Sequence, residues 1–573
     1  MTNRTRQGSA AVLSTVLMAL LGCISVGDSP EGDQASPPEA IYVNGRIITV
    51  DEAFTIAQAM AVSKGRFTAV GTDAEIRSLA EPSTQVVDLR GQTVVPGFGD
   101  SHIHNAGGGP GVALSFARTI DEVLAAVSAR VKTTGPEGVV ISNSDWHESQ
   151  LEEDRLPLRY ELDTVAPDTP VVLVRGGHEY VLNSAALAKW NITTATPAPE
   201  GGEVSRYPDG DLNGELVDRA RALVSLPSPP ARTLDQQIED LLGQHATLNA
   251  VGLTSMRYGA MAATQYRVLQ EMRQRGVLTI RVSALLRGPR GSQASAAGVR
   301  TVIEEFGLEP ADGDEWLRPA GIKLMADGGY EGGLMREPYA EPYGRDGTFR
   351  GLQVTPMDSY VEIVKEINRL GWRPATHAVG DEAVEQVVAT YEAANAEKSI
   401  VGRRWVLEHG FLPSEDHFSR MKALGIALTA QHHSYVAGPA MVRYWGLQRA
   451  SRVPPLRSYL DGGIVAASGT DSGVVPYPPL NAFYYFVTRT TVHGLVLGTE
   501  HKITRREALR MVTWNNAYLT FEEQVKGSIE PSKFADFIVL SDDILTVPDE
   551  QIREIAVLMT VVDGEVVFKE AGW

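Results

Sequence analysis

Two histidines one residue apart, His102 and His104, stand in PGFGDSHIHNAGG, directly after the apolar run GQTVVP. Alternate residues of a strand project to one side, so such a pair can grip a single metal ion at a strand's end. It can equally be two solvated side chains in a turn, and the pair alone does not choose. Other short apolar segments end in the same way. The last polar residues of PAGIKLMADGG, WRPATHAVG, RRWVLEHG and GGIVAASGTDSG are Lys323, His377, His409 and Asp471. Imidazole with carboxylate is the usual ligand chemistry of a hydrolytic zinc site. A buried histidine satisfied by a backbone carbonyl accounts for any one of these residues. All of them together, each at a strand terminus, favour a metal centre.

The elements that must position these groups alternate along the chain. VGLTSMRYGA, LTIRVSALLRG and GIALTAQHH have strand length, and amphipathic helical stretches such as DEAVEQVVATYEAANAEK, SEDHFSRMKALG and TQYRVLQEMRQRG lie between them. Strand then helix, repeated about eight times, predicts an α/β fold built on a parallel (β/α)8 TIM-like barrel, whose site lies at the C-terminal ends of the strands. Residues 110 to about 245 exceed one strand–helix unit and predict an insertion after the first barrel strand, at about 115–245. Both chain ends are β-rich, as in AIYVNGRIITVDE and IAVLMTVVDGEVVFKEAGW. They predict a small β-sandwich domain from residues 39–95 plus 520–573, beside a barrel at 96–519.

Composition narrows the partners. A chain of 573 residues, 43% of them hydrophobic, can bury a large core. A net charge of −19 without a basic cluster repels phosphate backbones, so nucleic acid is not an expected partner. The only cysteine, Cys23, ends MTNRTRQGSAAVLSTVLMALLGC. Arg4 and Arg6 form a positive start, and the apolar run at 9–22 falls short of the roughly 20 residues of a comfortable membrane span but suits a signal peptide. Leu20-Leu21-Gly22-Cys23 resembles the lipobox of bacterial lipoproteins. That resemblance implies a signal segment at 1–23, lipidation of Cys23 and a flexible tether at 24–38. An ordinary secretory signal with a coincidental cysteine is the alternative. The expectation is an exported lipoprotein of the periplasm or cell surface, in contact with membrane only through its N-terminal anchor. With a single cysteine there is no intrachain disulfide.

PGFGDSHIH, then DWHESQLEEDRLPLRYELDTVAPDTPVVLVRGGHEYVLNSAAL, GLTSM, GIKLMADGG, THAVGDEAV, LEHG, GTDSG and finally ITRREALRMVTWNNA with FADFIVL occur in that order. From about residue 40 to 570 the sequence resembles the metal-dependent amidohydrolase superfamily, in the branch that includes N-substituted formamide deformylase and the YtcJ-like proteins. The resemblance implies a small-molecule substrate and two divalent metals per chain, zinc first, with manganese, cobalt or iron as alternatives. His102 and His104 match first-strand ligands of one metal. Lys323 matches a lysine that, when carboxylated, bridges two; a free ammonium has no lone pair to offer, whereas a carbamate is an anionic oxygen ligand. An ion pair between Lys323 and Asp327 is the bland reading. His377 and His409 match ligands of the second metal. Asp471 matches an aspartate that binds the first metal and acts as general base and acid.

The implied reaction is hydrolysis of an amide-like C–N bond in an N-acyl or N-formyl compound. An ester, lactone or cyclic amide would suit the same machinery, and a non-catalytic ligand-binding lipoprotein is the alternative from another class. Around the metals, His178 matches a histidine near substrate in the branch's insertion. His432 and His433 end the seventh strand, facing substrate or serving structure. Arg257 either holds a substrate carboxylate or pairs with an acid. DGGYEGGLMREPYAEPYG reads as a mobile loop over the mouth, with Arg336 standing in for an arginine that relatives carry there. His147, His245, His417, His493 and His501 are not expected to be ligands. Self-association is left open.

Overall fold

Eight short strands, Phe98–Ile103, Leu253–Met261, Arg281–Arg287, Leu317–Met325, Pro374–Ala378, Val406–His409, Ala427–Ala430 and Ala466–Ser468, pair in parallel, each with the next. Most of their residues are buried on both faces, which is why they read as continuous apolar runs instead of alternating ones. The computed structural model describes residues 37–106, 109–135, 137–176, 179–199, 202–227, 231–340 and 347–573. Cys23 and the segment around it lie outside these, as does His178. Among the described residues no helix is long and apolar enough to cross a membrane.

The eight strands form a nearly closed barrel, in agreement with the expected α/β class. At the seam, Asp100 of the first strand accepts hydrogen bonds from the backbone N–H of Thr470 at 3.1 Å and from its hydroxyl at 2.6 Å, and the Asp471 N–H donates to the His102 carbonyl at 2.6 Å. Side-chain capture and a few backbone hydrogen bonds thus close the barrel together. Helices cover the outside through apolar stripes. Met357–Arg369 buries Tyr360, Ile363, Val364 and Ile367, and Asp381–Glu397 buries Val384, Val387, Val388 and Tyr391, the spacing of one helical face.

Strands from both chain ends share one six-stranded sheet: Phe537–Leu540 runs antiparallel to Thr93–Pro96, with Val539 opposite Val94. A second sheet of four strands comes from residues 40–88 alone. Phe537 meets Tyr42 edge to face at 4.9 Å, a contact worth about 1 kcal/mol beyond its buried area. Between the first and second barrel strands, residues 140–218 build a five-stranded sheet of their own. Its strand Val171–Arg175 reaches back to the barrel: Arg175, fully buried, holds Glu331 at 2.7 Å and Glu148 at 2.8 Å.

The segment after Lys323 is not the free loop expected from its glycines and tyrosines, as far as Ala340. Asp327, fully buried, accepts the backbone N–H groups of Leu334 and Gly380, both at 2.8 Å. The Tyr339 hydroxyl donates to the carbonyls of Tyr330 and Gly333. Buried polar groups without water must find such partners, and here they fasten the segment to the fifth strand. Residues 341–346 lie outside the described part.

Candidate metal centre

The C-terminal ends of the strands open on one cleft of about 290 Å³, lined among others by His102, His104, Lys323, His377, His409, His433 and Asp471. Asp471 is the hub. Its Oδ1 lies 3.2 Å from His104 Nε2 and 3.5 Å from His102 Nε2, and its Oδ2 lies 3.0 Å from His433 Nε2. Burial alone would raise the Asp471 carboxyl, but the imidazoles of His102, His104 and His433 hold it well below the usual carboxylate range. His102, His104 and Asp471 form one group whose ligand atoms lie within 4.8 Å of one another, and His409, His433 and Asp471 form another.

Strand register produces this convergence. His377 pairs with Glu408, Ala378 with His409 and Met325 with His377, so the ends of neighbouring strands fall in step. His409 and Asp471 both leave strand geometry at their own residue, with φ of 69° and 59°. Such a conformation is uncommon for side chains other than glycine and tends to occur at functional sites.

The ring nitrogens are assigned by what the far side of each ring bonds. His102 Nδ1 donates to Glu408 Oε2 at 2.5 Å, leaving Nε2 toward the cleft. His409 Nδ1 donates to Gln431 at 2.7 Å. His377 Nε2 donates to the Gly328 carbonyl at 2.9 Å. A hydrogen bond on one ring nitrogen fixes the tautomer and frees the other as a ligand. Burial pushes His102 down to about 4 and His377 down to about 3, so both rings are neutral near pH 7, the form a metal needs. Lys323 Nζ stands 3.2 Å from His102 Nε2 and is pushed down by burial to about 8, against the pull of Glu408 and Asp471. Asp327 is engaged with backbone amides, so it is not the ion-pair partner of Lys323.

The arrangement departs from the sequence reading in places. His377 lines the cleft, its ring 4.5 Å from that of His409, but it belongs to neither three-ligand group; His433 stands there instead. Arg257 does not face the cleft. It is buried, donating to Glu408 Oε1 at 2.7 Å and to the Ser101 carbonyl at 3.1 Å, which realises the pairing reading and not a substrate contact. Arg336 is on the surface with Glu382 at 3.2 Å, its side chain directed away from the buried Met335 and Tyr339 of the same segment. His432 is wholly buried at the start of helix His433–Trp445 and is not part of the cleft wall; of two adjacent histidines at a helix entrance, only one is turned to the opening.

Glu408, Gln431 and Arg290 were not singled out from the sequence. Glu408 precedes His409 in LEHG, and an acid beside a ligand histidine is the signal that could have marked it. Burial would raise its carboxyl, but Arg257, His102 and Lys323 hold it well below the usual range.

The donor set fits a divalent cation. Among the described residues His433 Nδ1 is buried without a hydrogen-bond partner, and three nitrogen or oxygen ligands cluster twice around one carboxylate. Imidazole and carboxylate together suit zinc and its neighbours.

Comparison with known proteins agrees with this chemistry. The model of the Amidohydrolase family matches residues 85–568. An N-substituted formamide deformylase of Arthrobacter pascens is 30% identical over 560 residues, covering 93% of this chain and 99% of the relative. YtcJ of Bacillus subtilis (strain 168) is 26% identical, covering 93% of this chain and the whole of the relative. An uncharacterized metal-dependent hydrolase from Pyrococcus horikoshii is similar in fold, with a TM-score of 0.66 at 23% identity over 89% of this chain and 99% of that one.

Proposed function

Since the chain belongs to the amidohydrolase family and is therefore a metal-dependent hydrolase acting on carbon–nitrogen bonds, we propose that it cleaves the amide-like bond of an N-acyl or N-formyl small molecule, with Asp471 as general base and acid. His102, His104 and Asp471 would hold one zinc-like ion. His377 and His409, with Lys323 carboxylated as a shared anionic ligand, would hold a second. A divalent cation, when bound, supplies an acidified water and a Lewis acid for the carbonyl.

The chain's own residues do the rest. Asp471 takes the proton of the attacking water and returns it to the departing nitrogen, the two halves of general base and acid work at one oxygen. His433, on the other carboxylate oxygen at 3.0 Å, keeps Asp471 oriented through both steps. Glu408 fixes His102, and Gln431 fixes His409, so the ligand nitrogens need not reorganise. Tyr330, Phe411 and Val379 on the cleft wall exclude water from the reacting carbonyl.

The observation that carries this reading is the buried Asp471 carboxylate shared by two histidine pairs, His102 with His104 and His409 with His433. Its test is metal content per purified chain by elemental mass spectrometry, together with release of formate or acetate from N-formyl and N-acetyl amines. About two ions per chain, lost with activity in the His102→Ala, His104→Ala double variant, is the expected result. Full turnover in that variant would refute the site. No uptake of zinc, manganese or cobalt would favour a non-catalytic binding protein.

A further inference from the structure

We propose that Arg290 receives a carboxylate of the substrate, so that the enzyme acts on N-acyl or N-formyl compounds carrying a free acid, an acylated amino acid with an apolar side chain being the class that fits. The proposal rests on the amide hydrolysis of the preceding section and names the substrate that this site selects.

Arg290 stands on the wall of the metal cleft, three residues beyond the third barrel strand. Its loop is clamped to the strand that bears Lys323: the Gly288 N–H donates to the Lys323 carbonyl at 3.0 Å. A Cβ at residue 288 would come within 2.4 Å of that oxygen, so the close approach requires glycine. Arg290 then continues in extended conformation, φ −137° and ψ 159°, into a short turn at Gly291–Gln293. The main chain at Arg290 is therefore set by the backbone of the strand that bears Lys323.

The charges around it are already matched, and Arg290 is not. Of the other ionised groups on the cleft wall, Asp471 is held by three histidines, Glu331 by Arg175 at 2.7 Å, and Lys323 lies against His102 with Glu408 and Asp471 nearby. The Arg290 backbone carbonyl accepts the Gln293 N–H at 3.0 Å, but its guanidinium makes no hydrogen bond or ion pair with any described residue. The charge it feels is that of Arg287, another cation, which itself donates to the Ala260 carbonyl at 3.3 Å. Arg290 is exposed at the mouth of the cleft, whereas the buried arginines of the chain are matched. Arg257, Arg175 and Arg281 hold carboxylates, and Arg489 donates to the carbonyls of Leu497, Pro454 and Val453. A guanidinium left with its donor fork open, beside a second cation, is set to receive an anion.

The rest of the wall describes the other parts of that substrate. Met325, Tyr330, Val379, Phe411 and Val474 are apolar or aromatic and line the same cleft. A small molecule with its amide at the strand ends, an apolar side chain on this wall and a carboxylate on Arg290 meets every kind of surface in a cleft of about 290 Å³. The planar fork of arginine binds a carboxylate through two parallel hydrogen bonds, which lysine cannot reproduce.

The test uses the metal-loaded chain and two probes that differ by the acid alone, N-formylphenylalanine and N-formylphenethylamine. The wild type is expected to favour the acid by 10-fold or more in kcat/KM. Arg290→Met is expected to lower that ratio at least 10-fold, mainly through KM, with Arg290→Lys in between and the control Arg287→Met keeping the wild-type ratio. A wild type that favours the amine, or a ratio unmoved in Arg290→Met, overturns the proposal and leaves amide hydrolysis standing. If neither probe is cleaved, amide hydrolysis itself is in question and binding decides on Arg290. Calorimetry with N-acetylphenylalanine should then detect binding to the wild type that Arg290→Met lacks. Equal binding by both, or binding by neither, overturns the assignment of Arg290.

Discussion

Glu408 joins His102 to Arg257: one carboxylate oxygen lies 2.5 Å from His102 Nδ1 and the other 2.7 Å from Arg257 Nη1. Thr429 adds a hydroxyl hydrogen bond at 2.6 Å to the oxygen that holds His102. All four side chains are buried, so each charge depends on the others. Glu408→Gln removes the anion, loosens the His102 ring and leaves Arg257 uncompensated. The expected outcome is a 10- to 100-fold loss of metal affinity, on the order of other losses from groups that orient a ligand histidine, read by chelator competition. Unfolding free energy should fall by about 3 kcal/mol, the scale for breaking a buried ion pair. Unchanged affinity would mean that Glu408 does not orient the ligand.

Asp471 offers a clean separation of charge from shape. Its φ of 59° is one that asparagine also accepts readily. Asp471→Asn should therefore keep the backbone conformation, losing only the charge contacts with His102, His104 and His433, while kcat drops by about 10² to 10⁴, the range for removing a general base. Stopped assays and a thermal melt on the same preparation separate the two effects. Retained kcat would assign proton transfer to another group.

Gly380 shows how tightly the segment after the fourth strand is fastened. A Cβ there would lie 1.8 Å from the Leu334 carbonyl oxygen, which is backbone and cannot step aside. Gly380→Ala is expected to cost about 3 kcal/mol, since overpacking against main chain has no side chain to yield. Denaturant midpoints of the variant and the wild type give the difference.

Far from the cleft, Glu385 tests the pH response. Hydrogen bonds from Arg420, and then from His417, bring its carboxyl down to about 2 from an ordinary 4.5. A depressed carboxyl contributes stability that is complete above pH 4.5 and lost as the pH falls toward 2. Glu385→Gln should be less stable than the wild type at pH 7 by no more than about 1 kcal/mol, because the network is partly exposed. The gap should close between pH 4.5 and 2. A gap that widens on acidification would contradict the assignment.

How much of this was legible in the sequence depends on which residues obey strand geometry. The barrel could be read because its strands are fully buried apolar runs separated by helices of one apolar stripe. His102, His104, Lys323, His377, His409 and Asp471 stood out because each lies at or near the end of such a run, and the fold brings all of them to one cleft. Glu408 could not: consecutive strand residues face opposite sides, so the neighbour of an inward His409 should face outward. The positive φ of His409 breaks that alternation, and both side chains reach the same centre. His432 and His433 were indistinguishable for a related reason, since a helix begins between them. Arg290 lies on a loop with no pattern, and its importance depends on which neighbours are already paired.

The pairing of Val94 with Val539 also bears on how the chain folds. The strand Thr93–Pro96 runs directly into the one that carries His102, yet its partner Phe537–Leu540 lies on the other side of the whole barrel in sequence. Contacts of such long sequence separation carry a large loop-closure cost and form slowly. The sheet that seats the start of the barrel therefore closes late, once the strands between its two halves have been brought together.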